Sequence, residues 1–365
     1  MDMLAAHASR SGDVAMKRLL AVASACIIVG VAIATWSDAP AKGIGLPGGI
    51  PGVPSLSPQD IAIKAAAKEL APWLSGHVPI ILDWTALYPT VDNLAGKPFA
   101  ATLAGSAQDQ LRSSIQTQLA HSTTGVVKLA PGDYAVQMRV YCTSHQRHAG
   151  HEALWLLGPL RGARANVLEA IYARASGKNL NFGPLQSLSW AMQAGMRYDE
   201  LPAGSKALVD QLIPDLRPQI SGSFLDQVQD EWSSLSSTIP NLPSLDSALG
   251  KMGPTGQTIL NIKYARDTII ADANDFDAMS RALVPSGGSG ADAGAGPPPW
   301  SKVSDTIYER ILTQGTFGTM ATFEIRVLGT SPVAVPFTSV ISYAPKHQDW
   351  QPLTQESPTL AFGGP

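Results

Sequence analysis

Residues Val126 to Gly162 read VVKLAPGDYAVQMRVYCTSHQRHAGHEALWLLGPLRG. Strand-like sequence gives way to helical sequence inside this stretch, so its reading sets the fold class. Pro131-Gly132-Asp133 separates two β-prone runs. Proline presets φ and glycine accepts positive φ, which predicts a tight reversal and a hairpin. The return run alternates. Tyr134, Val136, Met138, Val140 and Cys142 share one face, and Ala135, Gln137, Arg139 and Tyr141 share the other. The first face is the apolar one, so Cys142 is expected to point into a core.

Beyond the strand, Cys142, His145, His148 and His151 recur at every third residue. Thiolate and imidazole are the ligands zinc prefers, and four of them suffice for a tetrahedral site. Regular three-residue spacing is nevertheless unusual for zinc, which pairs two close ligands with two distant ones. The simpler reading is a polar loop, rich in Thr143, Ser144, Gln146 and Arg147, with Cys142 as a small buried hydrophobe. No other cofactor is expected.

The N-terminus carries an export signal. Met16-Lys17-Arg18 is basic, Leu19 to Ala34 is continuously apolar, and Ala39-Pro40-Ala41 offers a small-x-small cleavage site. That order predicts a signal peptide over 1–41 with an over-long start at 1–15, cleavage near Ala41, and a periplasmic or extracellular mature chain. The apolar run, about 16 residues, falls short of the roughly 20 a span needs, so no stable membrane span is expected after the leader is removed. Cys26 leaves with the leader, and a mature chain with Cys142 alone has no internal disulfide. With a length of 365 residues, 45% hydrophobic and 15% charged, the chain has room for a sizeable core. Its net charge of -3 gives no reason to expect nucleic acid as a partner.

Residues 42–56 form a Gly/Pro linker. Gly43, Gly45 and Gly48 match a dinucleotide fingerprint, but no strand precedes them and Pro47 and Pro51 break any following helix. Ser57, Pro58 and Asp60 make a helix start, with Gly76 ending that helix. Val78 to Trp84 reads as a strand and 106–121 as an amphipathic helix. An α+β body over 57–285 is expected, a β-hairpin or small antiparallel sheet packed with a helical bundle at 158–285. Its helices are placed at 163–176, 185–196, 204–213, 223–236, 244–252 and 256–284. Trp190 is expected near the edge of its helix, and Ser223 with Asp226 repeats a capping box. Asp272, Asn274, Asp275 and Asp277 suggest calcium, but Phe276 stands where an EF-hand needs oxygen, so a solvated helix face is the better reading. Residues 286–299 read as a disordered linker. Residues 300–365 hold a C-terminal β segment and a tail. Its strands form their own small sheet or return to pair with 126–142.

No G-x-S-x-G elbow, H-E-x-x-H motif or P-loop is present. His151-Glu152 begins like a zincin motif, but Trp155 stands where its second histidine belongs. Tyr141-Cys142, Gly158-Pro159-Leu160-Arg161-Gly162, and Gln186 with Trp190-Ala191 resemble a pattern in uncharacterised secreted bacterial proteins. The resemblance covers about 132–285, with an echo at Leu360-Ala361-Phe362-Gly363. It implies an exported protein and no activity. Those relatives carry a glycine-rich loop where this chain has His145, His148 and His151, which argues against a metal site as a family property. The leader, the linkers and the missing motifs weigh against an enzyme. They point to an exported binding protein of the bacterial envelope, with an envelope protein or polymer as partner. A secreted hydrolase with a site near Cys142 to His151, perhaps metal-assisted, is the alternative. A structural subunit of a surface assembly is a third.

Overall fold

The computed structural model describes residues 57–81, 86–94, 96–101, 106–142, 154–284, 298–313, 318, 320–337 and 340–344. The leader, the Gly/Pro linker, Asp83, Trp84, His145, His148, His151, nearly all of the low-complexity stretch and the tail from 345 lie outside the described residues.

Helix α1 (Pro58–His77) starts as its sequence dictates. The Ser57 hydroxyl accepts from Asp60 N–H at 3.1 Å, and the Asp60 carboxylate accepts from Ser57 N–H, completing a capping box. The helix runs past Gly76 and ends at His77, whose ring stacks on Trp73 at 4.2 Å. Helix α2 (Ser106–Leu119) buries Ile115 and Leu119. Then come α3 (Ala165–Ala175), α4 (Phe182–Gln193), α5 (Ala203–Leu212), α6 (Phe224–Thr238), α7 (Leu245–Leu249), α8 (Pro254–Ala271) and α9 (Phe276–Leu283).

The expected helix over 256–284 is therefore two helices. Asp275 accepts from Ala278 N–H at 2.9 Å and caps α9. The acidic run marks a break between helices, where short polar side chains compete with the backbone ladder. Ser223, by contrast, makes no cap bond to α6, and among the described residues its buried hydroxyl has no partner. Trp190 lies fully inside rather than near an edge, because α4 is surrounded by α3, α5, α8 and α9.

Among the described residues nine strands accompany these helices: β1 (Thr90–Val91), β2 (Val126–Leu129), β3 (Gly132–Arg139), β4 (Leu154–Gly158), β5 (Trp300–Lys302), β6 (Ile307–Thr313), β7 (Met320–Val327), β8 (Val333–Pro336) and β9 (Val340–Ala344). Among the described residues, one antiparallel sheet has the order β1-β5-β6-β7-β3, and two ribbons pair β2 with β8 and β4 with β9. The expected reversal at Pro131 does not occur, since β2 and β3 do not pair with each other. Leu129 faces Val333, and Gly132 faces Val327. The Pro131 turn is thus a corner that the chain rounds beside residues 328–332. Instead of pairing with each other, both runs pair along their full length with C-terminal strands, which return to the 126–142 region. Val78 to Ile81 is not a strand either. It makes one bridge, Ile81 with Arg161, Pro79 having no N–H to offer a ladder.

The fold is α+β, as read from the sequence. The inward face of β3 (Tyr134, Val136, Met138) and Val140 packs with Phe323, Ile325 and Ile311 in the sheet core. A second core gathers α3, α4, α5 and α9, and a third gathers α1, α6 and α7. Helix α8 joins the two helical cores, giving Ile259 and Ile262 to one and Ala265 and Ile269 to the other. On the outer face of the sheet, Arg326 grips Asp133 with two bonds of 2.7 Å and donates to the Lys97 and Pro98 carbonyls. Among the described residues no helix is long and apolar enough to cross a membrane.

Candidate functional site

The sheet and the helical core meet at Tyr141 and Cys142. Cys142 is half-buried and reduced, and it packs against the helical core rather than the sheet core. Of the proposed zinc ligands it alone is among the described residues; His145, His148 and His151 lie outside them. Among the described residues no cluster of three or more histidine, cysteine or acidic side chains is placed to hold a metal.

What the structure shows at Cys142 is a hold on its main chain. Cys142 N–H donates to Gln186 Oε1 at 2.8 Å, and Gln186 Nε2 donates to the Cys142 carbonyl at 2.9 Å. One glutamine side chain thereby imitates a neighbouring β-strand. The Ser189 hydroxyl and Gln193 Nε2 also donate to that carbonyl, at 3.4 and 3.2 Å. Gln186, Ser189 and Gln193 lie at i, i+3 and i+7 of α4, a polar stripe on a helix buried all round. Such a stripe is costly inside a core unless every member is bonded. Tyr172 of α3 shares a short hydrogen bond with Ser189. Burial pushes the Tyr172 phenol far above its ordinary pKa against the pull of that bond, so it stays protonated. Tyr141 stacks between Tyr172 and Phe182 at 5.0 and 5.5 Å. Burial raises its pKa as well, with Arg139 opposing.

The Gly158 to Gly162 motif supports the same junction from the other side. Leu157 N–H donates to the Ser301 hydroxyl at 3.3 Å, and Ala163 N–H donates to the Val78 carbonyl at 2.9 Å. Arg164 is buried and donates to the Met196 and Gly222 carbonyls, both at 2.6 Å. Burial pushes its pKa down to about 10, with Glu200 opposing, which leaves it charged at neutral pH.

Two carboxyl groups stand apart from this network. Glu169 of α3 is partly buried and has no ionic or hydrogen-bonded partner among the described residues, and burial raises its pKa to about 7. Glu309, near the middle of β6, is fully buried, and among the described residues neither of its oxygens has a partner. Burial lifts its pKa well above the carboxylate range.

The polar stripe of α4 is visible in the sequence as Gln186, Ser189 and Gln193 at helical spacing. Its partner is not visible, because nothing local ties position 142 to position 186. Comparison of the chain with protein-family models, with curated proteins and with solved structures finds no match.

The clamp makes a direct prediction. Gln186→Leu keeps the side chain's bulk but removes both of its bonds to Cys142. Ser189 and Gln193 still serve the carbonyl, while the N–H is orphaned, so the expected loss is about 2 kcal/mol. Urea unfolding should show this loss, and hydrogen exchange at the Cys142 amide should accelerate. A variant as stable as the parent would mean the clamp contributes nothing.

Proposed function

We infer that the chain is an exported, non-catalytic binding protein of a bacterial envelope. It engages an envelope protein or polymer where its β and helical parts meet. The observation that carries this reading is the use of the polar groups around Cys142. Gln186, Ser189 and Gln193 are bonded to a main-chain position and to one another. A recognition surface needs main chain held in this way on a rigid scaffold, so that little ordering is left to do when the partner arrives. A hydrolytic site needs side chains poised toward a substrate instead.

The test uses the purified chain and isolated bacterial envelope material. Saturable co-sedimentation is expected, without release of soluble fragments. Binding by Gln186→Leu, assayed where that variant is folded, should be about tenfold weaker, the counterpart of about 1.4 kcal/mol. Unaltered binding by the variant, or fragment release by the parent, would count against the reading. The accumulated protein should begin at Lys42 and fractionate outside the cytoplasm.

One observation favours the hydrolase as a second reading. Glu169, with a pKa near 7, is poised to give and take a proton at neutral pH. Fragment release by the parent chain that Glu169→Gln abolishes would select this alternative.

A further inference from the structure

The hydrogen-bond phase of the five-stranded sheet can be followed from strand to strand. Lys302 N–H donates to the Pro89 carbonyl, Val303 N–H to Ile307, and Leu328 N–H to Thr306. Residues in an antiparallel strand alternate in the neighbour they bond. The even-numbered residues of β7 therefore bond β6, and Ala321, Phe323, Ile325 and Val327 bond β3. Through the observed register, β3 returns those bonds from Gly132, Tyr134, Val136 and Met138. Asp133, Ala135, Gln137 and Arg139 then direct their N–H and C=O groups away from the sheet, and among the described residues nothing bonds them.

This edge is eight residues long, without proline or lysine. Natural sheets blunt such edges with those residues or cover them. The contrast with β2 is local. Gln118 of α2 accepts from Lys128 N–H at 2.8 Å and donates to the Lys128 carbonyl, closing that edge. Beside β3, the α2 residues Gln108, Leu111, Arg112 and Ile115 line only a shallow groove with Ala135, Val136 and Gln137, and among the described residues they make no bond to the main chain of that edge.

We propose that the β3 edge joins the β3 edge of a second copy of this chain, antiparallel, about a twofold axis through Val136. The pattern of GDYAVQMR is self-complementary in that register alone. Asp133 comes opposite Arg139 of the second copy, and Ala135 opposite its Gln137. On the inner face Tyr134 meets Met138 of the second copy and Val136 meets its own equivalent. Along the outer face the charges alternate from Arg326 to Asp133 to the incoming Arg139, and no like charges adjoin. All four outward-facing residues of each strand then bond, giving about eight main-chain hydrogen bonds. Sliding the pairing by two residues loses the Asp133–Arg139 pair and leaves outward groups unbonded. The two sheets become one continuous sheet, as isologous dimers of edge strands do. The partner is a second copy, so this association stands whatever the envelope ligand is.

Light scattering on the full chain at micromolar concentration should give twice the chain mass. Ala135→Lys with Gln137→Lys sets lysines side by side across the axis; it leaves the main-chain bonds to β7 in place and gives up only the exposed Gln137 side-chain bond to Thr322. It should halve the measured mass and leave the circular dichroism unchanged. Val136→Cys, mildly oxidised, should form a bridge that peptide mapping assigns to position 136 in both copies, absent from the parent chain and from Lys128→Cys. A parent chain of single mass, or a dimer that the double-lysine variant does not dissociate, overturns the proposal. Should the double variant fail to fold, the 136–136 bridge decides, and its absence is equally fatal.

Discussion

Gly162→Ala should destabilise the protein by about 3–5 kcal/mol, the sum of a strained backbone and an overpacked contact. Gly162 has φ of +118°, where an L side chain is strained. A Cβ there would lie 2.7 Å from Ile80 Cα and nearer still to the Pro79 carbonyl oxygen. Both obstacles are backbone, so no rotamer change relieves them. Nor can the chain move aside. Ile81 N–H donates to the Arg161 carbonyl, and Ala163 and Arg164 N–H donate to the Val78 and Pro79 carbonyls, at 2.8 to 2.9 Å. Movement at 162 also drags Arg164 away from the two carbonyls it holds in the helical core. Native stability is only about 5–15 kcal/mol, so much of it is at stake, and the melting temperature should fall by about 10 °C. Gly76→Ala is the control. Gly76 lies inside α1 with open space around it, so alanine should stabilise by about 0.5–1 kcal/mol. Equal melting temperatures for Gly162→Ala and the parent would show that the 78–81 and 161–164 segments part without cost.

Local chemistry was legible in the sequence where the answer itself is local. The Ser57–Asp60 box, the start of α1 and the alternation of β3 each follow from neighbours within a few residues. Pro131-Gly132 reads as the tight reversal of a hairpin, whereas the chain only rounds a corner there. What it joins depends on strands about 190 residues further along, and no local rule weighs β2 against β8 as a partner for its neighbour. Asp272 to Asp275 suits a solvated helix face and a helix break equally, and the packing of α9 against α4 and α8 decides for the break. Ser223 fits a cap pattern but lies buried at the junction with Phe224, which packs against Gly195. Trp190 lies inside rather than at an edge because a helix buried all round has no edge for a tryptophan to occupy. At the junction, the sequence marks Cys142 and Gln186 separately, one by the spacing of a metal ligand and one by a resemblance. Only the fold shows that one holds the other.

Glu309 should make the protein less stable as pH rises from 5 toward 9, opposite to the usual behaviour of a carboxylate. Its side chain is 0% exposed. It shares the inward face of β6 with Ile307 and Ile311, and its register partners are Ile325 on β7 and Ser301 on β5. The Ser301 hydroxyl serves Leu157 N–H. The ionic neighbours on β6 and β7, Arg310 and Glu324, bond each other on the opposite face at 2.6 Å. Among the described residues no cation compensates an ionised Glu309, and burial raises its pKa. A folded-state pKa above the unfolded value of about 4.3 gives stability that is complete below that value. It is lost at about 1.4 kcal/mol per pH unit until the folded-state pKa is passed. Asp133 and Glu200 do not blur this window. Burial is the largest single influence and works to raise their pKa values, but Arg326 with Ala100 N–H, and Arg266 with Arg197, together lower them, so their contributions vanish only in acid. Glu169 acts in the same direction as Glu309, in a window that closes near pH 7, and its partial exposure weakens the effect. Glu309→Gln is nearly isosteric and cannot ionise. Its stability should match the parent near pH 5 and exceed it increasingly as the pH rises. Glu309→Leu should exceed the parent at every pH, since an unpartnered polar group is replaced by an apolar one in an apolar site. Urea unfolding of the three proteins from pH 5 to 9 separates these cases. Parallel pH profiles for the parent and Glu309→Gln would mean that the carboxyl finds a partner or water when it ionises, and that the β6 core is not as closed as its packing implies.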